Sequence, residues 1–182
     1  MPHRSLDDIM TALYPLLDEF DQIARSANST YRSYPAEILV DHDARAQAAC
    51  TYAHMSAEAG RRFTGHEGVR ELDIRGLKLW LFEQPNIVIR LKKMDEDGLT
   101  KNYPTEQAKD FDRGKELPGL PMPPVRLTAG YLLDRTSTEF VRTQVARPVG
   151  RKKTLWCAAI LPAAERKSNE PIWVNVTRQG SF

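Results

Sequence analysis

The chain has 182 residues, is 41% hydrophobic and 27% charged, and carries 26 Lys/Arg against 24 Asp/Glu for a formal charge of +2. These values fit a single globular domain with one ordinary core and exclude a disordered chain, which lacks large apolar residues. No stretch approaches the roughly 18 uncharged apolar residues that span a bilayer. Residues 1–8 turn acidic where a secretory signal would become apolar, so a cytoplasmic protein without a membrane partner is expected.

In chain order, Leu6, Ile9, Met10, Leu13, Leu16, Leu17, Phe20, Ile23 and Ala24 recur at spacings of three and four, the period of an amphipathic helix. Ser5 suits its N-cap, with Asp7 and Asp8 in the first turn. Pro15 predicts a kink or a fresh start. Residues 27–34 read as a connector. A second, alanine-rich helix begins near Pro35 or the turn at 41–43 and runs to about Phe63. The period then falls to two: 77–82 and 87–92 are strands joined by the turn Glu83-Gln84-Pro85-Asn86. A short helix follows, to about Glu116, then the proline-rich connector 117–124. Further strands are expected near 127–133, 139–146, 154–161 and 172–177.

The expected fold is thus α+β over 1–182, with a helical part at 1–66 and a sheet part at 70–182. Two N-terminal helices pack on one face of a predominantly antiparallel sheet of about five to six strands, with one short helix inserted between strands.

Charge is unevenly spread. Residues 1–60 hold four Lys/Arg against nine Asp/Glu, whereas residues 140–182 hold eight against two. This polarity points to an electropositive face for a nucleic acid or an acidic protein. The acidic helical side suits a second protein or self-association. Arg147, Arg151, Lys152 and Lys153 crowd a predicted turn, and Lys92, Lys93, Arg126 and Arg142 widen the patch if their strands lie together. Clustered cations of this kind release counterions from phosphates. Trp80, Trp156 and Trp173 fall in strands, two of them expected in the core.

Other constellations read as structure. Glu71, Asp73 and Glu83 precede Arg90, Lys92 and Lys93 without the Glu-x-Lys tripeptide of a metal-dependent nuclease, so they are taken as solvated acids. Cys50 and His54 lie one helical turn apart, near His42 and Asp43; a packed thiol, a hydrogen-bonded imidazole and an N-cap aspartate account for them better than a metal. Cys157 lies in an apolar run, and two buried free thiols are expected. No Walker loop, dinucleotide fingerprint, Gly-x-Ser-x-Gly elbow or His-Glu-x-x-His motif occurs, so no cofactor and no metal is assigned.

Two resemblances bear on function. The four-residue spacing of Arg61 and His66 resembles the Arg–His element of HEPN ribonucleases. It implies, as the alternative, an RNA-targeting toxin in which histidine moves protons and arginine steadies phosphate charge. HEPN domains are all-helical, whereas most of this chain reads as sheet and loop. The segments at 90–93, 102–105, 126–131 and 156–160 resemble uncharacterised small bacterial proteins of mobile-element and toxin–antitoxin loci, over about the C-terminal half. That resemblance implies a non-enzymatic bacterial or prophage accessory protein acting through a nucleic-acid or protein partner. A protein–protein adaptor remains the third reading.

Overall fold

The computed structural model describes residues 4–100, 105–120, 124–150 and 152–178. Helix α1 (Leu6–Leu13) is capped by Ser5, which accepts the Asp8 N–H while the Asp8 carboxylate accepts the Ser5 N–H. A 3-10 turn at Tyr14–Leu16, containing Pro15, separates it from α2 (Leu17–Arg32). Proline has no N–H to give, so the pattern restarts one turn later. The predicted connector at 27–34 is instead mostly helical: Ala27 and Tyr31 are buried and carry the α2 stripe past Ala24. Pro35 precedes the short α3 (Ala36–Leu39), and the Asp43 carboxylate caps α4 (Ala44–Phe63) through the Arg45 and Ala46 N–H groups.

Among the described residues the sheet has seven strands in sequence order, not five to six. They are β1 (Val69–Ile74), β2 (Leu77–Phe82), β3 (Ile87–Lys93), β4 (Val125–Leu133), β5 (Phe140–Pro148), β6 (Thr154–Ile160) and β7 (Trp173–Asn175). The unanticipated strand is β1. Its Arg70, Glu71 and Asp73 belong on a sheet edge, where charge blocks further pairing, and they erase the apolar alternation. Every neighbouring pair is antiparallel except β3–β4. A parallel pair needs a crossover, and it is made through α5 (Glu106–Arg113), capped by Thr105 and ended by Gly114 in the left-handed region.

That crossover places helices on both faces, a correction to the expected one-sided layer. On one face Trp80, Phe82, Ile87, Ile89, Leu91, Leu127, Tyr131 and Trp156 meet Phe20, Ile23, Met55 and Phe63 of α2 and α4. On the other, Leu77, Leu79, Leu81 and Val88 meet Phe111 of α5 and Leu117. Beyond α5 the loop after β3 crosses the same face, and Met94 packs on Ala146 and Cys157. Gly98 sits in this loop at φ 76°, where a Cβ would come within 2.6 Å of the Ala146 Cβ. Trp80 and Trp156 are core and Trp173 packs at its margin. Cys157 is buried, while Cys50 is only half-buried; both thiols are free.

Candidate functional site

With both faces of the sheet covered, the predicted basic side chains are sent to different places. Arg126 donates to the Asp110 carbonyl at 2.9 Å and to the Phe111 and Lys115 carbonyls. It adds side-chain bonds to α5 carbonyls that already accept the Gly114 and Lys115 N–H groups, a structural role. Lys92 lies over the Tyr52 ring of α4, its nitrogen 4.6 Å from the centroid. Burial, then the nearby Arg90 charge, pushes its pKa down. Arg142 donates to Gln144 Oε1 at 3.0 Å, and Gln144 in turn holds the Asp95 carbonyl at 2.7 Å. Arg151 lies outside the described residues.

Sequence reasoning missed the most buried cation, Arg90. Only 3% of its side chain is exposed; it donates to Asp112 of α5 at 2.6 Å and to Thr128 Oγ1 at 2.9 Å, over the Phe111 ring. Burial pushes the guanidinium down and the Asp112 carboxyl up, and each charge opposes the shift of the other. The pair pins α5 to the sheet.

Two groups of cations remain at the two ends of β5. At the β5–β6 end, Lys152 and Lys153 are exposed in the turn. Arg147, beside that turn, donates to the Arg4 carbonyl at 3.2 Å, and Arg4 donates to the Pro85 carbonyl at 2.5 Å. These arginines bond main-chain oxygens and make no ion pair with a carboxylate among the described residues, although the Arg4 charge acts on nearby Asp8. Burial alone pushes the Arg147 pKa down, with no carboxylate to oppose it. Arg4 was not singled out in the sequence; it is 143 residues from Arg147.

At the β4–β5 end lies a cleft of about 620 Å³ between the first turn of α4, the turn 134–139 and the loop after β3. Lys93 is the one predicted residue that lines it, joined by Arg45, Arg135 and Arg178. The 134–139 turn is fastened from three elements. Arg32 of α2 and Gln47 of α4 both donate to the Ser137 carbonyl, at 3.2 and 2.9 Å, and Lys93 of β3 donates to Ser137 Oγ at 3.1 Å. The Asp134 carboxylate accepts the Thr138 and Glu139 N–H groups, which hold it well below the usual carboxylate range. None of this was legible as a motif, because the members come from five separate stretches of chain.

The other sequence candidates stand apart from these ends. Arg61 is bound to Glu58 three residues back, at 2.5 Å, and the His66 ring meets the edge of Phe63. Neither side chain hydrogen-bonds the other. Tyr34 holds His54 at 2.7 Å and Tyr31 holds His42 at 3.2 Å. Glu71 pairs with Lys78, and Glu83 with Arg70. Among the described residues, no three His, Cys, Asp or Glu side chains gather as metal ligands, and no helix is long and apolar enough to cross a membrane. Comparison of the chain with protein-family models, curated proteins and solved structures finds no match.

Proposed function

We propose that the protein is a non-enzymatic binding module that contacts a polyanion, a nucleic acid foremost, through the β5–β6 end of the sheet. The setting proposed is bacterial regulation, toxin–antitoxin control or defence, as the resemblance of the C-terminal half implies. One observation carries the reading: Arg4, Arg147, Lys152 and Lys153 gather there with no ion pair to a carboxylate among the described residues. By contrast, Arg61, Arg62, Arg70, Lys78 and Arg166 each hold an acidic partner. Exposed cations without an ion pair are what a phosphate backbone can take up in place of its counterions. The patch moves from the sheet face, where it was first expected, to the sheet end.

The test is fluorescence anisotropy of the full chain with a labelled oligonucleotide across a salt series. The reading predicts affinity that falls steeply with salt and drops at least tenfold in K152E/K153E. Equal affinity of that variant and the parent would remove it. Binding to poly-glutamate without binding to the oligonucleotide would assign the same end to an acidic protein.

A further inference from the structure

We infer that the cleft at the β4–β5 end binds a small phosphate-bearing anion, a site separate from the polyanion surface at the other end of β5. Its volume, about 620 Å³, is that of a small-molecule pocket. The formal charge of the lining is balanced and its acids stay ionised, but their oxygens are occupied, whereas two of its guanidinium groups are not. Asp134 is committed to its own turn, and Asp95 Oδ1 accepts the Asp97 and Leu99 N–H groups at 3.0 and 2.9 Å. Glu96 and Asp97 are both held by Arg178. Asp43, beside the mouth, is occupied by two main-chain N–H groups of α4. The guanidinium groups of Arg45 and Arg135 keep no hydrogen-bond or ion-pair partner among the described residues, and both line the cavity.

Two guanidinium forks on one cleft match an anion with several oxygens on one centre. A phosphate has oxygens enough to accept from both forks, and Lys93, which also lines the cleft, adds a point charge. The α4 amides contribute little here, because Asp43 already accepts from Arg45 and Ala46. The side chains are the anchors. The wall is built in advance: Arg32, Gln47 and Lys93 hold the Ser137 turn from three elements, so the ordering cost of binding falls on the two arginine side chains and not on the turn. Met94, Leu132 and Leu133 provide an apolar floor for the body of the ligand.

The probe is inorganic pyrophosphate, titrated into the full chain and followed by amide chemical shifts. Saturable shifts are expected at Ala44–Ala48, Lys93 and residues 134–137, with a dissociation constant at or below about 1 mM. R45A/R135A, which removes two exposed side chains without partners, should weaken binding at least tenfold with the spectrum otherwise unchanged. K152E/K153E should bind pyrophosphate as the parent does. Absence of saturable shifts, parental affinity in R45A/R135A, or an equal loss in K152E/K153E would each overturn the assignment. Because the last variant governs the polyanion surface alone, failure of one site is told apart from failure of the other.

Discussion

On the α5 face of the sheet, Arg90 and Arg126 are drawn inward and used up. At the two ends of β5, the side chains of Arg45, Arg135, Lys152 and Lys153 keep their donors for something outside the chain. The residue type is the same and the surroundings differ. Arg90 meets a carboxylate in a water-poor layer, where removing either partner strands a charge. Arg126 meets main-chain carbonyls at the end of α5, with the Asp110 charge nearby. Neither arrangement leaves a vacant fork. The lesson is that a basic count along a sequence measures binding capacity only after the structural cations are subtracted.

The contrast can be broken first at its most buried point. Asp112→Ala should destabilise the protein by about 3–5 kcal/mol in urea unfolding, because Arg90 is left unpaired. The double replacement R90M/D112L should recover most of that loss; a double variant as unstable as D112A would show the pair itself to be essential. Alkali probes the interior on both sides of the sheet. Burial pushes the Cys157 thiol and the Tyr131 phenol up to about 12. The folded chain therefore keeps protons that the unfolded chain releases from about pH 9 for the thiol and about pH 10 for the phenol. Their contribution is whole below about pH 9 and is lost as pH rises towards 12, on the order of 2–4 kcal/mol for each group. Cys157→Ala should show a shallower decline over that interval, measured by unfolding at several pH values.

Smaller effects sharpen the same division. Arg126→Ala should cost about 0.5–1.5 kcal/mol through the lost side-chain hydrogen bonds to α5, read by urea unfolding, and leave anion binding intact. R45A/R135A and K152A/K153A should each change stability by no more than about 0.5 kcal/mol, since these side chains hold nothing together. A large loss of stability in either would move that end into the structural class.

Much of the fold was legible where local chemistry decides it. Alternation marked β2 and β3, the Glu83–Asn86 turn joined them, and Asp43 announced the start of α4. The charged edge strand β1 was hidden because its solvent-facing acids mask the period. The extra turns of α2 were hidden because Asn28, Ser29 and Thr30 read as a loop until Ala27 and Tyr31 find the core. The site was less legible for a related reason. Arg90 sits in an alternating run whose even positions pass for solvent-facing, and its partner lies 22 residues on, across the crossover. The cleft needs Arg32, Arg45, Lys93 and Arg135 from α2, α4, β3 and a turn. Only the assembled sheet brings them together.

The division between spent and available cations is tested most directly by one measurement. It is the slope of log affinity against log salt for an oligonucleotide, taken on the parent, R126A and K152E/K153E. Each phosphate contact contributes about 0.7–0.9 to that slope. The slope should be unchanged in R126A and shallower by about two contacts in K152E/K153E. A slope lowered by R126A and untouched by K152E/K153E would contradict the account.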